Sequence, residues 1–196
     1  MSRENDKYLK RAIDGASGPK VSPQSPEEFP RRATVTSIAR ADDVKFYELA
    51  GSSGVKALHI RQGTGVSPED GDRVEVHYYG RLFAKQGWRF DSTYDHKDFF
   101  GNPEPYVFTV GVGSIIGGMT SAVRTTKEGG VRRVVIPPSQ GYQNTSQGPI
   151  PPDYFDRQRL YTTIFNQTRL ANGEGDTLGT LIFDIELLKS LWSGSK

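Results

Sequence analysis

Two segments of alternating apolar and polar side chains constrain the fold of this 196-residue chain more than any other feature. In RVEVHYYGRL (73–82), every second residue from Val74 to Tyr78 is apolar or aromatic. In GTLIFDIELLKSLW (179–192), every second residue from Leu181 to Leu187 is apolar. Successive side chains of a strand point to opposite faces, so this period predicts two strands that each bury one face. The chain must therefore build a sheet with one covered side.

Shorter segments complete the fold prediction. Further strands are predicted at 55–62, 105–110 and 131–138, the last closed by prolines. The segment MTSAVRTTKEGG has helical composition and ends in a glycine pair, which predicts one short helix at 119–127. About five strands and one helix, with strands dominant and no internal repeat, indicate an α+β fold in which a mainly antiparallel sheet packs on one helix.

Composition divides the chain into three parts. Residues 1–53 mix Gly, Ser, Pro and charged residues without periodicity, which predicts a flexible or partly docked N-terminal extension. Within it, DDVKFYELA (42–50) is either a linker or a short ordered piece docked on the domain. The strand-rich domain is expected at 54–192, and residues 193–196 form a short tail.

One segment interrupts the succession of strands. Residues 153–179 form a 27-residue insertion before the last strand. A connection of this length is either functional or disordered, and its aromatic residues favour order. Tyr161 and Phe165 are four residues apart, which predicts a short packed helix.

Composition also excludes several kinds of chemistry. The chain has no cysteine, so disulfides, thiol catalysis and Cys-based zinc sites are ruled out. His59, His77 and His96 are far apart with no His-x-x-x-His pair, so no metal site is predicted, and each is interpreted as a satisfied or exposed side chain. A net charge of +2 without a Lys/Arg run argues against nucleic-acid binding.

The sequence carries no sign of membrane insertion. No apolar run approaches the ~20 residues of a transmembrane helix. The charged segment MSRENDKYLKR at the start of the chain is not a signal peptide. If the protein works in an organelle, we expect that a targeting segment was removed before residue 1.

The glycine-rich stretch TVGVGSIIGGM (109–119) invites comparison with phosphate-binding loops. Its GVGSIIG core is one residue too long for a dinucleotide fingerprint, and no Gly-Lys-Ser/Thr follows. Phosphate binding is therefore not expected. The alternative is a tight turn from strand to helix, in which glycine permits positive φ and close backbone approach.

Five motifs in a fixed order carry a resemblance to a known family. They are GDRVEVHYYGRL, RFDSTYD, PYVFTVGVGSIIGGM, VVIPPSQGY and TLIFDIELL. From Gly54 to Trp192 the chain resembles the FKBP family of macrolide-binding peptidyl-prolyl isomerases. The resemblance implies an antiparallel β half-barrel wrapped around the short α-helix, with an apolar pocket between them and the insertion 153–179 before the last strand.

Carried over position by position, the resemblance also implies the residues of the pocket. Independently of the family, alternation alone places Tyr78 and Phe183 on inward strand faces. The expected pocket residues are Tyr78, Phe90, Asp91, Tyr106, Ile115, Ile116, Met119, Tyr142, Ile150 and Phe183.

The implied activity is cis–trans isomerisation of X–Pro bonds, which needs no nucleophile, metal or cofactor. As catalytic groups we expect Phe90 and Phe183 as pocket walls, a hydrogen bond from the Tyr142 hydroxyl, and Asp91 acting on the twisted carbonyl or orienting Tyr78. The other substrate contacts would come from Tyr78, Tyr106, Ile115, Ile116, Met119 and Ile150. Of these, Ile115 and Ile116 are expected to be exposed at the pocket rim, with the Ile116 N–H binding a substrate carbonyl.

Three departures from the family pattern bear on activity. Met119 stands where the family usually has Trp at the pocket floor, so weaker activity and macrolide binding are expected. The loop after Tyr142 is shorter than the common form. The insertion 153–179 is expected either to overhang the pocket or to form a new surface.

The insertion makes the chain similar to chloroplast members of plants and algae that are directed to the thylakoid lumen. Two functions stay open. The first is an active isomerase that assists the folding of proline-containing client proteins. The second is a weakly active or inactive domain that serves as an assembly factor or bound subunit of a photosynthetic membrane complex, bound through the insertion 153–179 or the N-terminal arm.

Overall fold

The computed structural model describes residues 45–191. The 193–196 tail and most of the predicted N-terminal extension lie outside the described residues. The compact unit begins at Phe46. Its first strand therefore lies within the stretch that we expected to be an extension, because pairing with the sheet already starts at Tyr47.

Seven strands form one antiparallel sheet across the described residues. They are β1 (Tyr47–Glu48), β2 (Lys56–Arg61), β3 (Arg73–Leu82), β4 (Arg89–Ser92), β5 (Tyr106–Thr109), β6 (Val131–Ile136) and β7 (Leu181–Leu191). In spatial order they run β1-β2-β6-β7-β3-β4, and β5 pairs with β3. Five of them confirm predicted strands; β1 and β4 were missed, because two and four residues are too short to show a period.

The two long strands that alternation predicted lie side by side at the centre of the sheet. β3 pairs with β7 along its whole length, from Arg73 opposite Leu191 to Leu82 opposite Leu181. The other edge of β3 is shared, because β5 pairs with its first half and β4 with its second. Every second residue of β3 from Val74 to Leu82 is buried, as predicted.

Helices cover one side of this sheet and fill the insertion. The predicted helix at 119–127 begins two residues earlier, because the glycine pair before Met119 is helical and not part of the turn. It also ends three residues earlier, at Arg124. A 3-10 turn follows β6 at Pro138–Gln140. A short helical segment at Ala84–Gly87 has positive φ at Lys85 and Gln86. The regular α-helices are α1 (Gly117–Arg124), α2 (Tyr154–Ile164), α3 (Gln167–Ala171) and α4 (Gly175–Gly179).

The insertion is an ordered part of the domain. The one short helix expected near Tyr161 is the C-terminal half of α2, and α3 and α4 were missed because their residues are mainly polar. The Asp153 side chain caps α2 by accepting hydrogen bonds from the backbone N–H groups of Phe155 and Asp156. Leu160, Ile164 and Leu178 are buried, and the first two belong to the main hydrophobic core.

Helix α1 lies very close to the sheet, and glycine makes this possible. A Cβ atom built on Gly118 would lie 2.3 Å from Ile136 Cγ2 on β6. Gly111, before the helix, has a φ of 81°, as the predicted tight turn requires. At the other end of α1, the buried Arg132 guanidinium donates to the backbone oxygens of Ala122 and Thr125, where a positive charge favours the helix dipole.

No helix within residues 45–191 combines the length and apolar character needed to cross a bilayer.

The contact between α1 and the sheet predicts the effect of a single methyl group. Gly118→Ala should lower the free energy of unfolding by about 1–3 kcal/mol, because the new Cβ clashes with the branched Ile136 side chain. Gly113→Ala is the matched control, since open space surrounds a Cβ there. Urea denaturation measures both variants. Equal stabilities of the two variants would show that the close approach is not required.

Two histidines on the sheet predict how stability changes with pH. Burial lowers the pKa of His59 and His77 below the ordinary value of 6.5; the nearby Arg132 charge adds to this at His59, whereas Glu186 opposes it at His77. The folded state therefore binds fewer protons than the unfolded state just below pH 6.5. Stability should be complete above that pH and decrease as the pH falls through it.

Urea denaturation at pH values on either side of 6.5 tests this linkage. His77→Gln removes the titrating group while keeping a polar partner for Thr93, whose Oγ1 lies 3.0 Å from His77 Nδ1. The variant should lose less stability than the wild type when the pH is lowered. An identical loss in both proteins would assign the pH dependence to other groups.

Candidate active site

Three strands and one helix bring aromatic and apolar side chains together at one spot. Phe183 on β7 contacts both Phe90 on β4 and Tyr78 on β3 edge to face, with ring centroids 5.5 Å and 5.7 Å apart, respectively. Met119 of α1 faces the same core, and none of the four side chains is more than 1% exposed. The structure therefore joins four of the predicted residues into one buried aromatic wall and floor.

Asp91 lies beside this wall and is held by three donors. Its Oδ1 accepts from the Ser92 backbone N–H at 2.8 Å and lies 2.8 Å from His96 Nε2. Its Oδ2 accepts a hydrogen bond from the Tyr78 hydroxyl. Of the two roles expected for Asp91, the geometry favours the orientation of Tyr78, because both carboxylate oxygens already have partners.

His96 is the residue of this group that sequence reasoning missed. Each histidine was interpreted as satisfied or exposed, and His96 is indeed satisfied, but its partner is the predicted catalytic carboxylate. The two residues are five positions apart, on either side of a turn that follows β4. Such a spacing belongs to no helix or strand period, so the sequence could not predict this contact.

The phenol groups of the site stay protonated at neutral pH. Burial, followed by the negative charge of Asp91 and the hydrogen bond to it, raises the pKa of Tyr78 far above its ordinary value. Burial also raises the pKa of Tyr142 well above its ordinary value. Both hydroxyls can therefore donate hydrogen bonds, which the expected role of Tyr142 requires.

The two expected donors to the substrate are already used by the chain itself. The Ile116 N–H donates to Gly148 O at 3.0 Å, and the Tyr142 hydroxyl donates to Pro149 O at 2.5 Å. Gly148 N–H in turn donates to Ser114 O at 2.7 Å. The segment 143–150, here called the 143–150 loop, therefore lies on top of the pocket.

This loop corrects one expectation about the pocket rim. Ile115 and Ile116 were predicted to be exposed, but only 5% and 0% of their surface is accessible. The prediction was wrong because Gly148 pairs with Ile115 in a parallel bridge and covers it. Local sequence could not show this, since the covering residue lies more than thirty positions further along the chain.

The 143–150 loop divides the ten predicted residues into two sets. Tyr78, Phe90, Asp91, Met119 and Phe183 lie in the interior, with Ile116 and Tyr142 bonded to the loop segment that covers them. An open cleft of about 460 Å³ lies between β5 and the 143–150 loop. Its walls include the remaining three residues, Tyr106, Ile115 and Ile150.

The insertion borders this arrangement from one side. The ring of Tyr161 on α2 packs edge to face against Tyr142, with centroids 6.2 Å apart. The Tyr161 hydroxyl donates to Thr145 O in the 143–150 loop at 3.1 Å. At the start of the same helix, Tyr154 and Phe155 are 57% and 78% exposed. The insertion thus supports the loop and also presents an aromatic pair to solvent.

Across residues 45–191, no group of three or more His, Asp or Glu side chains is arranged to hold a metal ion.

An antiparallel half-barrel packed on a short helix, with an aromatic pocket between them, is an FKBP-like α+β fold. The family model for the FKBP-type peptidyl-prolyl cis-trans isomerase matches residues 65–188. The chain belongs to this family. The residues matched include every predicted site residue.

Among curated proteins, the chain is similar to chloroplastic members of this family. The chain is 66% identical over 155 residues to the chloroplastic peptidyl-prolyl cis-trans isomerase FKBP17-1 of Arabidopsis thaliana, a match that covers 79% of this chain and 66% of the relative. It is 32% identical over 151 residues to the chloroplastic FKBP19 of the same plant, covering 70% of this chain and 53% of that protein. The chain is a chloroplast member of the family, and it spans between half and two thirds of these relatives' lengths.

A solved structure shows the same fold. The crystal structure of FkpA from Escherichia coli superposes with a TM-score of 0.52 at 23% identity, covering 97% of this chain and 60% of that chain. At this identity the likeness concerns the fold alone.

The Tyr78–Asp91 contact predicts a strong energetic coupling between the two side chains. In a double-mutant cycle of Tyr78→Phe and Asp91→Asn, we expect a coupling free energy of about 1.5–3 kcal/mol, the usual range for a hydrogen bond to a charged group. Urea denaturation of the four proteins measures it. Additive effects of the two substitutions would contradict an Asp91 that holds Tyr78 in place.

Proposed function

We propose that this chain is a peptidyl-prolyl cis-trans isomerase that acts on X–Pro bonds by desolvation and twisting. The observation that carries the proposal is the buried wall of Tyr78, Phe90 and Phe183 next to two hydrogen-bond donors, the Ile116 N–H and the Tyr142 hydroxyl. An apolar cup with two donors at its edge suits a proline ring with its flanking carbonyl groups.

The chemistry of amide rotation explains why such a cup suffices. The barrier of about 20 kcal/mol arises because twisting the bond removes amide resonance. In the twisted state the carbonyl oxygen carries less negative charge than in the planar amide, so removal of water favours the twisted state. An acceleration of about 10⁴-fold requires about 5.5 kcal/mol. No bond is broken, and no nucleophile or cofactor takes part.

Each group of the pocket has a proposed role. Phe90 and Phe183 exclude water around the proline ring, and Met119 forms the floor. Asp91 keeps the Tyr78 hydroxyl directed towards itself, so that the pocket presents the ring of Tyr78 to the substrate. The substrate carbonyls would take the places that Gly148 O and Pro149 O now occupy on the two donors. The clients would be proteins with accessible X–Pro bonds.

A second function is favoured by a specific observation. Both donors are occupied by the 143–150 loop, and the floor residue is the flexible Met119. These features suit a weakly active or inactive domain that serves as an assembly factor or bound subunit of a photosynthetic membrane complex. The exposed Tyr154 and Phe155 of the insertion offer a contact surface for such a partner. Most of the N-terminal arm, the other candidate, lies outside the described residues.

Within the chloroplast we propose the thylakoid lumen as the location. The match to chloroplastic relatives supports the organelle, and the lumen rests on the resemblance stated in the sequence analysis. Import of the full-length natural protein into isolated chloroplasts, followed by fractionation of stroma and lumen, would test it.

An isomerisation assay on a short X–Pro peptide discriminates between the two functions. The wild type should accelerate isomerisation, and Met119→Trp should increase kcat/KM about tenfold by placing a flat ring at the pocket floor. Phe183→Leu should reduce kcat/KM about tenfold, because the aromatic wall loses its shape. Phe99→Leu is the matched control, since Phe99 is 96% exposed in the loop after β4 and should leave the rate unchanged.

The outcomes separate clearly. Wild-type activity at the level of ordinary family members would reject the inactive-module function. A folded wild type without activity, together with a folded but equally inactive Met119→Trp variant, would reject the isomerase proposal.

A further inference from the structure

We propose that the 143–150 loop is a lid that a peptide must displace to enter the pocket, and that Tyr161 of the insertion is the positioning residue that holds this lid in place. The inference rests on the proposed function, because it concerns access to the same pocket. It gives the insertion a specific role at the site, which is to hold the 143–150 loop over the pocket.

The lid competes with a substrate for the same hydrogen bonds. Gly148 O and Pro149 O accept from the Ile116 N–H and from the Tyr142 hydroxyl, the two donors next to the aromatic wall. A substrate carbonyl can reach either donor only after the corresponding loop carbonyl has moved away. The loop is also bonded in the reverse direction, because Gly148 N–H donates to Ser114 O.

At Gly148 the lid lies in direct contact with the pocket residues beneath it. A Cβ atom on Gly148 would lie 2.2 Å from the Tyr106 hydroxyl oxygen and 3.2 Å from Ile115 Cδ1. The backbone of the lid therefore rests directly on two residues that were expected to contact the substrate. Entry of a peptide from the open cleft next to Tyr106 requires the lid to lift.

Tyr161 connects the middle of the lid to a fixed part of the molecule. Its hydroxyl donates to Thr145 O, and its ring packs against Tyr142 at the beginning of the lid. Helix α2, which carries Tyr161, is anchored in the core by Leu160 and Ile164. Within the described part of the chain, the other side-chain hydrogen bonds to residues 143–147 come from the lid itself.

The two ends of the lid are held by contacts other than Tyr161, and Gln143 holds the first end. Its side-chain amide donates to Pro138 O and Gly141 O, which ties the start of the lid to the turn after β6. The far end is tied by Gly148 and Pro149. Tyr161 is thus placed where removal of a single hydroxyl should loosen the lid without removing either end.

Tyr161→Phe tests the proposal, with Tyr154→Phe as the matched control. Both substitutions remove one hydroxyl from α2, but only Tyr161 bonds the lid. In Tyr161→Phe, hydrogen exchange at the Ile116 and Gly148 amides should become about fivefold faster, the effect of one lost hydrogen bond on lid opening. The KM for a proline peptide should fall by about fivefold with kcat unchanged, because more molecules are open.

A second variant opens the lid without changing the insertion, so that an effect of Tyr161→Phe on α2 itself can be recognised. Gly148→Ala places a methyl group against the Tyr106 hydroxyl and should push the lid open, with the same direction of change in exchange and KM. Unchanged exchange and KM in Tyr161→Phe, or equal changes in Tyr154→Phe, would overturn the proposal. So would a lid that stays closed in Gly148→Ala.

Failure of the lid and failure of the proposed function can be told apart. If the wild type and Met119→Trp are both folded and inactive but Tyr161→Phe accelerates exchange at Ile116, the lid exists and the isomerase function is wrong. If the wild type is active and Tyr161→Phe changes neither exchange nor KM, the function stands and the lid is wrong.

Discussion

The structure depends on keeping water away from one face of the central β3–β7 pair. The side chains on this face are apolar or aromatic from Val74 to Leu82 and from Leu181 to Leu187, and they are buried throughout. Helix α1 covers the face, and it can do so only because Gly118 lets its backbone approach Ile136. The buried Arg132 then fastens the C-terminal end of the helix to the sheet. The barrel, the floor of the pocket and its walls all follow from this closure.

Polar groups inside the pocket exist only where partners stabilise them. A buried hydroxyl or carboxylate without hydrogen bonds costs several kcal/mol, by an order-of-magnitude argument. The Tyr78 hydroxyl and Asp91 satisfy each other, and Ser92 and His96 supply the remaining contacts. The same rule applies at the pocket edge, where the Ile116 N–H and the Tyr142 hydroxyl bond the 143–150 loop. The site is therefore a fully satisfied network in its closed state.

The insertion connects the hydrophobic core with the hydrogen-bonded edge of the pocket. Its first helix adds Leu160 and Ile164 to the core, which gives α2 a fixed position. From that position Tyr161 reaches both Tyr142 and the lid. Opening the pocket and contacting a partner through the exposed aromatic pair at the start of α2 would therefore involve one and the same helix.

The sequence by itself determined the features that repeat over short distances. Alternation with period two predicted β3 and β7 and the inward faces of Tyr78 and Phe183, because strand geometry is a local property. It could not reveal β4, which is too short, or the His96–Asp91 contact, which has no period. Only the tertiary structure decided that Ile116 is covered and its N–H occupied, because that bond joins it to Gly148 across the fold. Which donors are free depends on such distant contacts, and no local pattern records them.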